Sequence, residues 1–413
     1  MAPPSRGRRI DRAVSLEDVA RLARRRLPRV VREFVEGGAE DETAVAGNRQ
    51  AFAEWDLLPR ALVGVERRQT KVTVLGHEID LPVVLGPVGL ARLAHRNGEV
   101  AAARAAARAG TVFTLSTGSS CSIEEVAQAA PGACWFQLYL WRDRALVESL
   151  LHRAAAAGYS ALVLTVDVPC MGRRERDLRN GMTIPPRLRP STAFDVLRRP
   201  RWLAGLMFGP RITFANLAGV PGRGASVSEL GRYTNEELVN PGADWETLAW
   251  LRRQWDGPLA VKGILHPNDA RRAVACGADG IVVSNHGGRQ LDAVVPSLRA
   301  LPDVVDAVGG RADVILDGGV RRGTDVAKAL ALGARAVSIG RPYVQGLGAA
   351  GEVGASAVVE LLRAEFDAVL ALVGCPDANR LDRSFVVPAG GGLAGNPADG
   401  CSPREQPVRP DGS

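Results

Sequence analysis

The chain is predicted to fold as an α/β protein, a (β/α)8 TIM barrel with N-terminal helices and a long insertion after the fourth strand. Three observations carry that expectation. Short runs rich in Val, Ile and Leu recur about eight times, bounded by Gly, Pro or Asp. Between them lie Ala-, Arg- and Leu-rich segments whose apolar residues fall three and four apart, the period of an outer amphipathic helix. Several of these segments stop at a glycine, the residue that most easily turns the chain out of a helix.

The elements follow in order. Residues 1–14 are polar and basic and are expected to be disordered; the barrel domain is expected over 15–387. Leu16 to Arg25 and Pro28 to Glu36 read as helices ahead of the barrel, Pro28 standing at a natural helix start. Strands are predicted at Leu81 to Gly86, Thr111 to Ser116, Trp135 to Tyr139, Ala161 to Val166, Leu259 to Ile264, Gly280 to Ser284, Ala312 to Leu316 and Ala336 to Ile339. Outer helices are predicted at Glu99 to Ala109, Asp143 to Ala157, Asn268 to Cys276 and Thr324 to Leu332, with Gly110, Gly158, Gly277 and Gly333 as their stops. An open doubly wound sheet is the runner-up, but it would usually show a G-x-G-x-x-G turn after its first strand, and none is present. The connection at about 187–241 is long enough to be functional or disordered. The Gly- and Pro-rich tail, 388–413, is expected to be disordered.

Composition excludes several classes. The net charge of +7 comes mostly from arginine spread along the chain, with lysine only at Lys71, Lys262 and Lys328. No nucleic-acid motif or aromatic-interleaved basic stripe accompanies it. The cysteines are scattered, with no C-x-x-C pair and no histidine at zinc-ligand spacing, so neither a metal site nor a disulfide framework is expected and a reduced, cytoplasmic setting is. The N-terminus lacks the apolar core of a signal peptide, and no run is long enough to span a bilayer.

Catalytic residues of such barrels sit where strands end. The sixth strand runs into SNHGGRQLD, placing His286 and Arg289 at the rim around paired glycines. A histidine takes up a proton near neutral pH, and an arginine fork holds a carboxylate. The fourth strand ends in TVDVPCMGRRERD, supplying Asp167, a carboxylate to orient the imidazole, and Arg174, a second cation for an anionic substrate. FQLY at the third strand offers Gln137 and Tyr139 as neutral hydrogen-bonding groups. Lys262, in a chain that otherwise prefers arginine, can stabilise negative charge on a reduced cofactor ring. Gly318, Gly319, Arg321, Gly340 and Arg341 follow the seventh and eighth strands, where phosphate sites of these barrels commonly lie.

These motifs, with LPRVVREFVEGGAEDE, GPVGLARLAHRNGE, VKGI, LDGGVRRGTD and IGRP, occur in an order that resembles the FMN-dependent α-hydroxy-acid oxidases and dehydrogenases, over about Leu16 to Val387. The resemblance implies oxidation of a 2-hydroxy acid to a 2-oxo acid on FMN, with electrons passed to a quinone or to oxygen. It implies His286 as the base, Asp167 as its partner, Arg174 and Arg289 on the substrate carboxylate, and Tyr139 touching the substrate. It further implies an FMN site lined by Pro87, Val88, Gly89, Ser116, Gln137, Thr165, Lys262, Ser284, Asp317, Gly319, Arg321, Gly340 and Arg341. A homo-oligomer, commonly a tetramer in the family, is the implied assembly.

Two positions depart from the family pattern. Phe34 stands where many members carry a tyrosine that holds the substrate carboxylate, and Gly118 where glycolate oxidase carries a tryptophan; both point to a bulkier, more apolar substrate. Gly89, alanine in many oxidases, leans towards the dehydrogenase branch. In the insertion, Trp202, Leu203, Leu206, Met207 and Phe208 beside Arg198, Arg199, Arg201 and Arg211 suit either an interfacial anchor on anionic lipid, with the protein peripheral on the inner face of the membrane, or a lid whose apolar face packs on the barrel. Two other functions stay open on the residues: a non-redox FMN barrel enzyme such as an isomerase, and a barrel that only binds FMN.

Overall fold

The computed structural model describes residues 10–182, 190–217 and 240–390. Eight parallel strands close a barrel: β1 (Val83–Leu85), β2 (Phe113–Ser116), β3 (Cys134–Tyr139), β4 (Ala161–Thr165), β5 (Leu259–Ile264), β6 (Gly280–Val283), β7 (Asp313–Asp317) and β8 (Ala336–Ile339). Each pairs with its neighbours in sequence, and β8 returns to β1 with Val337 opposite Val83. All eight predicted strands are therefore present. In β2, β4, β6 and β8 every residue is buried, as expected where one face packs the barrel interior and the other the helices.

The predicted outer helices are Gly98–Arg108, Arg144–Ala156, Pro267–Ala275 and Gly323–Ala331. Gly110, Gly158, Gly277 and Gly333 all have positive φ, so each makes the left-handed turn that leads into the next strand. The N-terminal pair forms as Leu16–Arg26 and Arg29–Glu36, with the Ser15 hydroxyl capping the first by accepting from the Asp18 N–H.

Helix Thr43–Gln50 was not anticipated, because TAVAGNRQ has no apolar stripe; its buried residues are Ala44 and Asn48. A hairpin, Val72–Val74 against His77–Ile79, was also not anticipated. Its tip residue Leu75 plugs the bottom of the barrel, where the Leu75 N–H donates to Asp313 Oδ2 at 2.7 Å and a methyl on Gly280 would lie 2.7 Å from the Leu75 side chain. The opposite, C-terminal end of the strands remains open.

Order extends beyond the expected domain limits. Ile10, assigned to the disordered terminus, is only 3% exposed. Val386–Pro388 pairs with Trp55–Leu57, and the Ala389 N–H donates to the Glu54 carbonyl, so the edge expected at 387 moves outward. The remaining terminal segments, 1–9 and 391–413, lie outside the described residues, as do 183–189 and 218–239 of the insertion. Within the insertion, helices Pro190–Leu197 and Pro200–Met207 are described. The Trp202 indole donates to the Leu93 carbonyl at 2.7 Å, docking this segment on the loop after β1. Among the described residues no helix is long and apolar enough to cross a membrane.

Candidate active site

One cleft of about 250 Å³ opens at the C-terminal ends of the strands. At its rim His286 Nδ1 lies 3.0 Å from Asp167 Oδ1. Burial opposes the charge on Asp167, but His286 and Lys262 outweigh it and hold the carboxyl below its usual range. Asp167 fits because β5 is irregular between Lys262 and Ile264: Gly263 has φ +105, and a β-carbon there would come within 2.6 Å of the aspartate side chain. The bulge clears space for one catalytic candidate while turning the chain beside another.

His286 itself has φ +57, followed by left-handed Gly287 and Gly288. Such a conformation costs a β-carbon-bearing residue about 1 to 3 kcal/mol and persists only where its surroundings enforce it. Here the His286 N–H donates to Ser284 Oγ at 3.0 Å, and Asn285 and Asn48 exchange two side-chain hydrogen bonds of 2.7 and 2.8 Å. Gly288 packs so tightly on helix Thr43–Gln50 that a β-carbon would sit 2.7 Å from the Val45 nitrogen. Asn48 is thus a supporting residue that the sequence reasoning missed. Its only signal was an asparagine in a polar segment.

Arg174 and Arg289 both line the cleft, as does Tyr139. Arg289 Nη1 donates to the carbonyls of Phe34 and Gly37 at 2.8 and 2.9 Å, and its guanidinium carbon lies 5.3 Å from the centre of the Phe34 ring. Phe34 therefore lacks the tyrosine hydroxyl but still braces the arginine, by its ring and its backbone. Burial together with the Arg174 and Arg341 charges pulls Arg289 well below the usual arginine range, the mark of a crowded cationic site suited to an anion. Burial and Asp167 push the Tyr139 phenol up despite Lys262, so it stays a donor.

Of the expected cofactor residues, Pro87, Val88, Gly89, Ser116, Thr165, Lys262, Asp317, Gly319, Arg321, Gly340 and Arg341 line the same cleft. Gln137 and Ser284 do not. Gln137 accepts from Ser116 Oγ and donates to Thr165 Oγ1 at 3.0 Å each, bonding to two residues of the wall. Ser284 Oγ accepts from Lys262 Nζ at 3.0 Å and donates to Asp317 Oδ2 at 2.6 Å. Burial works against the Lys262 charge, yet Asp317 and Asp167 together hold its pKa above the ordinary value.

The residues fit FMN. Burial plus the charges of Arg341 and Arg49 lowers Arg321 to about 9, so the end of the cleft expected to take the phosphate gathers cations in the protein interior. Helix Arg341–Ala350 presents its N-terminus to the same end. Arg321 is the freer fork. Arg341 gives Nη1 to Gly287, Nη2 to Gly37 and Nε to Val35, all backbone carbonyls, and so ties the catalytic loop to the N-terminal helix as well. Along the flat wall, a methyl on Gly89 would lie 2.8 Å from the Gly118 carbonyl, and the Leu90 N–H donates to that same oxygen at 3.1 Å.

The sequence profile of FMN-dependent dehydrogenases matches residues 23–388. The chain belongs to that family. An L-lactate dehydrogenase of Caulobacter sp. (strain K31) is 45% identical over 374 residues, 90% of this chain and 98% of the relative. An L-lactate oxidase of Nostoc sp. (strain PCC 7120) is 44% identical over 381 residues, 91% of this chain and 99% of the relative. The crystal structure of the monotopic membrane protein (S)-mandelate dehydrogenase superposes with a TM-score of 0.87 at 40% identity, covering 91% of this chain and all of that one. The family member described here is an FMN-dependent oxidoreductase of 2-hydroxy acids, which favours the redox reading over an isomerase or a non-catalytic barrel.

Proposed function

We propose that the chain oxidises a lactate- or mandelate-like 2-hydroxy acid to its 2-oxo acid, acting as a dehydrogenase with His286 as the base. The observation that carries this reading is the His286–Asp167 contact of 3.0 Å in a cleft that Arg174 and Arg289 also line. An ionised aspartate can only accept, so Nδ1 carries the ring proton and Nε2 keeps its lone pair. His286 then takes the hydroxyl proton as two electrons leave the α-carbon, and Asp167 stabilises the imidazolium. Arg174 and Arg289 hold the carboxylate, and the protonated Tyr139 donates to a substrate oxygen. FMN, when bound, supplies the two-electron acceptor. Pro87 to Gly89, Ser116 and Thr165 would flank its ring, Lys262 would place a positive charge by it, and Gly319, Arg321, Gly340 and Arg341 would hold its phosphate, with Gln137, Ser284 and Asp317 steadying these groups.

Gly89 supports a dehydrogenase that passes its electrons to a quinone rather than to oxygen: the close Gly89–Gly118 approach is one an alanine would have to part. Mixing the holoenzyme anaerobically with a panel of L- and D-2-hydroxy acids should bleach the flavin with one hand of the series. Reoxidation should then be fast with a quinone analogue and slow in air; fast reoxidation in air would remove the dehydrogenase assignment.

A homotetramer is the assembly carried over with this reading. Peripheral contact with an anionic membrane through 198–211 also belongs to it, because Met207 and Phe208 are 66% and 81% exposed beside exposed Arg201 and Arg211, while Trp202 turns onto the barrel. The protein should sediment with anionic vesicles at low salt and release at high salt. Absence of sedimentation retires the contact and leaves the segment as a cover over the cleft.

A further inference from the structure

We propose that Phe214, contributed by the insertion, selects the substrate side chain, and that the site takes 2-hydroxy acids bearing an aryl or extended alkyl group in preference to lactate or glycolate. The proposal rests on the reading above that this cleft oxidises a 2-hydroxy acid.

Glycine at 118 would be expected simply to enlarge the pocket. Instead, the space beside it is taken from another part of the chain. A β-carbon built on Gly118 would lie 3.7 Å from Cε1 and 3.8 Å from Cδ1 of Phe214, ordinary contact for a methyl but no room for an indole. An aromatic wall is thus restored by the insertion in place of one carried by the loop after β2. Phe214 is half-buried and lines the cleft together with Leu90, Trp141, Met171 and Leu217.

The wall is fixed in position. The Ala215 N–H donates to the Ser119 carbonyl at 3.0 Å, Asn216 Nδ2 donates to Ser119 Oγ at 2.8 Å, and Asn216 Oδ1 accepts from the Ile123 N–H at 2.9 Å. Asn216 and Leu217 are 2% and 3% exposed. Three hydrogen bonds thus anchor the residues immediately after Phe214 to the loop that carries Gly118, so the ring is organised before substrate arrives. The hydrogen of glycolate or methyl of lactate touches little of such a wall. An aryl ring can stack against Phe214, and a longer alkyl chain can cover it.

Steady-state kinetics of the holoenzyme with glycolate, lactate, 2-hydroxyoctanoate and mandelate test the assignment. The wild type is expected to show kcat/KM at least about tenfold higher for mandelate and 2-hydroxyoctanoate than for lactate. Phe214→Ala should shrink that ratio about tenfold, chiefly through KM, and Phe214→Leu should shrink it for mandelate more than for 2-hydroxyoctanoate. A mandelate-to-lactate ratio within about twofold of wild type in yellow Phe214→Ala protein overturns the proposal, since a merely structural residue would lower both substrates together. Where Phe214→Ala fails to retain flavin, the same ratio in Phe214→Leu decides. Wild-type flavin bleached by lactate but not by the larger acids overturns the Phe214 assignment alone. Flavin bleached by no 2-hydroxy acid overturns the broader reading and this one with it.

Discussion

Replacing His286 with alanine should leave a yellow protein whose flavin is reduced by 2-hydroxy acid about 10² to 10⁴ times more slowly, the usual contribution of a positioned general base. The imidazole contributes its basic nitrogen, while the groups placed at the phosphate end, Arg321 and the N-terminus of helix Arg341–Ala350, lie on other loops. Cofactor retention should therefore survive the change. Alanine is less at ease than histidine at a φ of +57, so His286→Asn, which tolerates the left-handed region better, separates backbone strain from chemistry. Both variants should be slow in anaerobic stopped-flow reduction. Rapid reduction in either would remove His286 as the base.

Arg289→Met should lower kcat/KM for a 2-hydroxy acid by roughly 10² to 10³, the cost of taking one partner from a buried charged pair. The effect should be concentrated on the carboxylate. For a neutral 2-hydroxy amide, which gains less from a guanidinium, the loss should be much smaller, and comparing the two substrates in the same variant separates clamping from folding. Arg289→Lys should fall between wild type and Met, because an ammonium keeps the charge but not the two-pronged fork. An equal loss for acid and amide would assign Arg289 a purely structural role through its bonds to Phe34 and Gly37.

The sequence read the barrel well because its strands are short apolar runs and its helices carry a clear 3.6-residue period; β1 to β8 and the four predicted outer helices all appear. The rim residues were legible for a related reason. His286, Arg289, Asp167 and Arg174 stand in the loops that follow β6 and β4, and the loops at that end of the strands form one face of the barrel. What escaped is held by long-range contact. Helix Thr43–Gln50 has no amphipathic signal, because its inward face meets the catalytic loop through Asn48 rather than through an apolar stripe. Phe214 escaped because nothing local to an insertion says which loop it will lean on, and so its approach to Gly118 is visible only in the fold. Gln137 and Ser284, both buried, hydrogen-bond to the cleft residues Ser116, Thr165, Lys262 and Asp317 and so set their positions, a linkage made by neighbouring strands that no single motif displays.

The exchange of hydrogen bonds between Asn48 and Asn285 spans 237 positions of the chain. During synthesis the first of these residues emerges long before its mate, and contacts so far apart in sequence are slow to close. Holding His286 in its left-handed conformation therefore depends on a contact as distant in sequence as the one that closes the barrel, Val337 on Val83: a segment from the beginning of the polypeptide has to meet the loop after β6.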